Sequence, residues 1–219
     1  MDFIDAIQSF DLSVLDRIQQ GFRGSFADGM WKFITFFGEG GIFWIAVGVV
    51  LLLFRRTRKG GLAMLIAIAA GFLISNIILK NAVARIRPYD VNTLLPLAVK
   101  RLSDFSFPSG HTTASLSAGL ALLYVDRKIG IPAFILGVLI SISRLHLYVH
   151  YPSDVLAAVC VALITSLIGF IAAELIMRKF EPWFDGKVDA LKARKAKAAQ
   201  KAGDNISSPS AGIGGNANE

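Results

Sequence analysis

The stretch VLAAVCVALITSLIGFIAAELIM, residues 155–177, carries a single charged side chain, Glu174, and none between Val155 and Ala172. Crossing ~30 Å of hydrocarbon as a helix takes ~20 such residues, so this segment reads as a membrane span. Four further apolar runs precede it, at Ile34–Phe54, Leu62–Val83, Thr112–Val125 and Ile131–Tyr148. Thr112–Val125 is short and must borrow flanking residues. The composition follows the same line. Of 219 residues 54% are hydrophobic and 18% charged, and mean hydropathy is +0.56. Soluble domains sit near ~45–50% apolar and ~25% charged, which excludes that class. The single Cys160 excludes a disulfide scaffold. The expected fold is all-α, a polytopic transmembrane helix bundle of about five spans.

The N-terminus does not read as a signal peptide, because it opens on Asp2 and Asp5 with no basic segment. Phe3, Ile7, Phe10, Val14 and Ile18 recur at helical spacing. Residues 1–23 are therefore expected to form an amphipathic interfacial helix, or else a hairpin packed over the bundle. Residues 24–180 form the transmembrane domain. Residues 181–219 form a cytoplasmic tail, Ala/Lys-rich from Gly186 to Lys201 and disordered from Gly203.

The net charge of +7 reads as topology, not as nucleic-acid binding. Arg55, Arg56, Arg58 and Lys59 follow the first span, Arg127 and Lys128 the third, and Arg178 and Lys179 the fifth. With five spans all three regions share one side, which the positive-inside rule makes cytoplasmic. The N-terminus and the other loops then face outward. Those outward loops hold Lys80, Arg85, Arg87, Lys100, Arg101, Arg144 and all three histidines. Positive charge on that side calls for an anionic ligand.

Lys80 and Arg87 are seven residues apart, close to two helical turns, so one helix would present both from one face before Pro88 stops it. Pro108-Ser109-Gly110-His111 directly precedes the third span. Gly110 allows close backbone approach, and the free N–H groups of a helix start hold anions. Capping of the helix by Ser109 explains the same residues. Ser143-Arg144 ends the fourth span, His150 lies on a turn before Pro152, and Asp154 opens the fifth span. A carboxylate there can take the N–H of His150 and aim its other nitrogen at a substrate. His146 falls outside this set and is taken as structural. No metal is expected, because the surrounding cations would repel one. Glu39, in Phe36-Phe37-Gly38-Glu39-Gly40-Gly41, lies inside the first run, and a carboxylate there is expected either to face the pocket and pair with Lys80, Arg87 or Arg144, or to be reached by water at the interface through its glycines.

These three segments, in this order, resemble the type 2 phosphatidic acid phosphatase family. Lys80 to Arg87-Pro88 is similar to its first motif, Pro108 to His111 to its second, and Ser143-Arg144 with His150 and Asp154 to its third. The resemblance extends across roughly residues 24–180 and implies a membrane lipid phosphatase with no cofactor. It implies that His150 attacks phosphorus to form a phosphohistidine and that Asp154 supports it. It implies that His111 protonates the leaving oxygen and then activates water. Lys80, Arg87, Ser109, Gly110 and Arg144 would hold the phosphoryl oxygens. An anion transporter would need charge near the bilayer midplane, and a silent lipid-phosphate binder would not need both histidines. Vanadate-dependent haloperoxidases are similar at the motifs but soluble. The substrate is expected to be a lipid phosphate held at the outer face of a bacterial membrane. Arg85, Lys100 and Arg101 could meet a second phosphate, which favours undecaprenyl diphosphate over phosphatidylglycerophosphate or phosphatidate.

Overall fold

The computed structural model describes residues 3–93, 95 and 97–207. Its described residues fold into helices, in two units, Met1–Leu175 and Ile176–Glu219. The helices are α1 (Phe3–Phe22), α2 (Ser25–Phe36), α3 (Ile42–Leu53), α4 (Arg58–Gly71), α5 (Lys80–Val83), α6 (Pro88–Val91), α7 (Gly110–Val125), α8 (Arg127–His146) and α9 (Pro152–Ser207). Among the described residues, four segments are long and apolar enough to cross a membrane: Ser25–Leu53, Arg58–Val91, Arg127–His146 and Pro152–Phe180. The remaining expected span is α7, whose 16 residues reach only ~24 Å at 1.5 Å per residue.

α7 compensates by being enclosed. Its Thr112, Thr113, Ser115, Ser117, Ala118 and Ala121 are buried. A hydroxyl in an apolar interior needs a partner, and Thr113, Ser115 and Ser117 have one, while the Thr112 hydroxyl has none among the described residues. Thr113 Oγ1 lies 2.9 Å from Ser75 Oγ, and Ser117 Oγ lies 2.7 Å from Thr165 Oγ1 of α9. Trp44 Nε1 of α3 donates to Ser115 Oγ at 2.9 Å. Small residues set the helix spacing. A Cβ at Gly119 would lie 2.7 Å from the Cα of Phe134 on α8, so the α7–α8 backbones are in direct contact there. Outside this interior the surface is apolar: Phe26, Phe33, Ile42, Leu53, Phe72 and Leu156 are all exposed. A protein in water would not leave such a belt uncovered, whereas lipid covers it.

α1 does more than lie on a surface. Leu15 is fully buried with Tyr89, Leu147, Tyr148, Val149 and Tyr151, while Ile4, Phe10 and Phe22 remain exposed. Gln19 Nε2 donates to the carbonyl of His146 at 2.6 Å, and Tyr148 donates to Asp16 at 2.8 Å. α1 therefore packs over the end of α8 and the turn that follows it.

The second unit continues α9 as a helix to Ser207. The expected disorder from Gly203 is thus not seen through Ser207, and the rest of that expectation, residues 208–219, lies outside the described residues.

Candidate active site

One end of the bundle gathers the α2–α3 turn, the start of α5, the start of α7 and the turn before α9 around a cavity of about 650 Å³. Lys80, Arg87, Gly110, His111, His150 and Glu39 line its polar end, while Ile45, Leu65, Ile68, Ala69 and Phe72 line the rest. Leu65 lies fifteen residues before Lys80 on the same run of helix, so the apolar wall extends ~20 Å toward the middle of the bundle. Ser109, Arg144 and Asp154 do not line the cavity. They are buried behind it.

Lys80 and Arg87 meet by a route other than the one expected. Phe72–Leu79 winds as a π-helix, a form that concentrates at functional sites. The helix ends at Val83, and Ala84 turns left-handed at φ 48. Arg87 is extended and Pro88 is the first residue of α6, where its missing N–H costs nothing. Pro88 thus starts a helix and does not stop one, and the two cations do not share a helix face. Asp104 joins them. Its Oδ2 bonds Lys80 Nζ, and its Oδ1 accepts from Arg87 Nη2 at 2.6 Å. Burial alone would raise the Asp104 pKa, but the Lys80 ammonium and then Arg87 outweigh it and hold it down to about 2.

Arg87 also orders His150. Its Nη1 donates to the Val149 carbonyl at 2.8 Å and lies 3.3 Å from His150 Nε2. A guanidinium can only donate, so Nε2 is the unprotonated nitrogen and Nδ1 carries the hydrogen. Nδ1 faces Asp154 Oδ2 at 3.6 Å, longer than a hydrogen bond. His150 is 1% exposed. Burial pulls its pKa down to about 3, Arg87 and Arg144 add to this, and Asp154 opposes it. The ring is neutral at pH 7, with a lone pair beside the cavity.

Asp154 is fixed from several sides. Its Oδ2 accepts from Ser106 Oγ at 2.5 Å and from the Tyr151 N–H at 3.0 Å. Its Oδ1 accepts from Arg85 Nη1 at 2.7 Å. Arg85 is therefore occupied and does not reach a second phosphate in the cavity. Arg101 is likewise paired with Asp90 at 3.0 Å and lies over Tyr89.

Glu39 sits on a short 3₁₀ turn, Glu39–Gly41, between α2 and α3. Gly40 and Gly41 have φ 55 and 70, a region that favours glycine. Glu39 does line the cavity, but its partner is not one of the three cations. Its Oε2 lies 3.3 Å from His111 Nε2. Ser109 caps α7 at 3.4 Å to the Thr112 N–H. Arg144 Nη1 donates to Thr35 at 2.7 Å, and its buried Nε has no partner among the described residues. His146 bonds Asp28 at 2.9 Å and lies against Trp31, away from the cavity.

The sequence reading missed Asp104, Ser106 and Asn76. Asn76 lines the cavity, and its buried Oδ1 has no partner among the described residues. An amide in the apolar run Leu62–Val83 was the available signal for it, and a carboxylate placed among cations was the signal for Asp104.

Residues 60–178 match the PAP2 superfamily. The chain belongs to this family. PAP2 relatives include an undecaprenyl-diphosphatase of Sulfolobus acidocaldarius, 31% identical over 68% of this chain and 70% of that protein. The undecaprenyl-diphosphatase BcrC of Bacillus subtilis is 34% identical over 70% of this chain and 79% of its own. The crystal structure of a transmembrane PAP2 phosphatidylglycerolphosphate phosphatase from Bacillus subtilis superposes with a TM-score of 0.62. It is 24% identical and covers 80% of this chain and 87% of its own. The protein is an integral-membrane, metal-independent PAP2 phosphatase acting on lipid phosphate.

Proposed function

We propose that this PAP2 phosphatase hydrolyses a prenyl diphosphate, undecaprenyl diphosphate, at the outer face of a bacterial cell membrane. The observation that carries the reading is one cavity with two cations and two histidines at its polar end and an apolar wall beyond. A phosphorylated head fits the first part and a hydrocarbon tail the second. The two undecaprenyl-diphosphatases among its relatives support the choice of lipid.

In this reading the substrate enters sideways from the bilayer. Its terminal phosphate displaces the Asp104 carboxylate from Lys80 and Arg87. Arg87 Nη1 turns from His150 Nε2 to a phosphoryl oxygen, and the freed Nε2 lone pair attacks phosphorus. The P–O bond to the lipid monophosphate breaks, and His111 gives that oxygen a proton. Water then attacks the phosphohistidine, His111 takes a proton from it, the P–N bond breaks, and inorganic phosphate leaves. Asp154 stands behind His150 and offsets the positive charge the ring gains. Arg144 and Ser109, buried behind the wall, hold the Thr35 and α7 ends of the site in place. Catalysis here is positioning plus charge stabilisation, as phosphoryl transfer requires.

The test is purified protein against undecaprenyl diphosphate, phosphatidylglycerophosphate, phosphatidate and a prenyl monophosphate. The highest kcat/KM is expected for the diphosphate. A clear preference for phosphatidylglycerophosphate would overturn the choice of lipid. Labelling of a cysteine introduced at position 217 from outside intact cells would overturn the orientation.

A further inference from the structure

Asp11 lies in the middle of α1, outside the PAP2 match and far in sequence from every residue of the active site. It is nonetheless 1% exposed. A carboxylate so placed on an amphipathic helix is costly unless fully partnered, and Asp11 is fully partnered. Its Oδ1 accepts from the Ser153 N–H at 3.0 Å, and its Oδ2 accepts from Arg85 Nη2 at 2.7 Å and from Ser153 Oγ. The other arm of the same guanidinium, Nη1, donates to Asp154 Oδ1 at 2.7 Å and to Ser153 Oγ at 2.7 Å. The guanidinium lies 3.8 Å from the ring centre of Tyr151, so it is clamped in its plane as well as at its ends. Asp11, Arg85 and Asp154 thus alternate in charge, and the series runs on from Asp154 to the neutral His150 ring at the cavity.

We propose that Asp11 of α1 is a positioning residue for His150, acting through Arg85 and Asp154. This rests on the reading of His150 as nucleophile. The reasoning is geometric. Asp154 Oδ2 is shared between Ser106, Tyr151 N–H and the His150 side. The direction that oxygen faces depends on where Oδ1 is held, and Arg85 holds it. An arginine with one carboxylate has freedom to swing. With carboxylates on both arms and an aromatic ring on its face, it has one position. Asp11 supplies the second carboxylate. It also leaves the Arg85 charge balanced, so Asp154 is not neutralised by a lone cation and keeps its field at His150 Nδ1. α1 in this sense supports the active site from behind, as the second of the two expected readings, a segment packed over the bundle, allows.

The experiment compares Asp11→Asn, Leu15→Ala and Asp154→Asn in the full-length detergent-solubilised enzyme, with folded fraction measured for each. Asp11→Asn keeps the shape of the side chain and loses the charge. A misplaced reacting group costs roughly 10- to 100-fold in rate, and that loss is expected in kcat, with KM nearly unchanged because Asp11 does not touch substrate. Rapid-quench labelling should show slower formation of the phosphoenzyme. In an Asp154→Asn background the Asp11→Asn change should add little, since both act through one carboxylate. Leu15→Ala removes α1 packing without touching the series. It should lower the thermal midpoint and leave kcat per folded molecule unchanged. Wild-type kcat in Asp11→Asn, a loss fully additive with Asp154→Asn, or an equal kcat loss in Leu15→Ala would each overturn the proposal. His150→Gln separates the two layers: if it stays active, the nucleophile reading falls and this one with it. If it is inactive while Asp11→Asn turns over normally, this proposal alone falls.

Discussion

His111 Nε2 and Glu39 Oε2 stand 3.3 Å apart across the mouth of the cavity, one from the start of α7 and the other from the turn between α2 and α3. The carboxylate holds the imidazole ring in one orientation. Glu39→Ala should free the ring and lower turnover. The loss should be larger for phosphatidate than for a prenyl diphosphate, because an alcohol needs a proton to leave more than a phosphate does. Comparing kcat/KM for the two substrates checks this, and an equal loss on both would contradict it.

His150→Gln should abolish turnover. His111→Ala should slow it by ~10²–10⁴-fold, with the second step hit hardest, so that acid-labile phosphate accumulates on His150. Radiolabelled substrate followed by acid quench and peptide mapping reads this directly. Label at any other side chain would refute the assignment.

Asp104 competes with the substrate for Lys80 and Arg87. Asp104→Asn should therefore lower KM several-fold and make inorganic phosphate and vanadate stronger inhibitors. Weaker inhibition by vanadate in this variant would mean that Asp104 preorganises the cations and does not compete with phosphate.

The pH dependence of stability should carry the mark of His150. Its pKa is about 3 in the folded chain and ~6.5 unfolded. Between these values the unfolded chain binds the proton and the folded chain does not, so stability is lost as pH falls. Asp104, held to about 2, acts in the same direction, but only below its unfolded value of ~3.9. Thermal midpoints at neutral pH and near pH 4.5 leave the Asp104 contribution out of the comparison. His150→Gln should show a smaller drop between them than the wild type.

What the sequence made legible follows from range. Membrane helices announce themselves because a span is local in the chain: VLAAVCVALITSLIGFIAAELIM needs no partner to be recognised. The meeting of His111 and His150 on one cavity was legible for a similar reason, since each stands at a span end and alternating spans return the chain to the same side. Contacts depending on irregular backbone were not. The helix-face argument for Lys80 and Arg87 failed because Ala84 adopts a left-handed turn, which nothing in Ala-Arg-Ile-Arg-Pro signals. The Glu39 partner was misassigned because charge attraction favours cations, whereas the 3₁₀ turn delivers the carboxylate to His111. Asp11 reads in the sequence only as one of the polar residues, with Asp5, Asp16 and Arg17, that make the segment amphipathic, and nothing local distinguishes it from them.

The hydroxyl stripe of α7 bears on how the protein is made. Thr112, Thr113, Ser115 and Ser117 find their partners on α3, α9 and the π-helical segment before α5, with the exception of the Thr112 hydroxyl, and the helix is too short to cover the hydrocarbon. As the chain leaves the ribosome, α7 is synthesised before α8 and α9. It is a poor candidate for partitioning into lipid on its own, because polar side chains at mid-helix oppose insertion. Integration of α7 then waits for the later helices and proceeds with them as a group. Truncating the chain after Val125 should leave α7 outside the bilayer, while extension through Phe180 should bring it in.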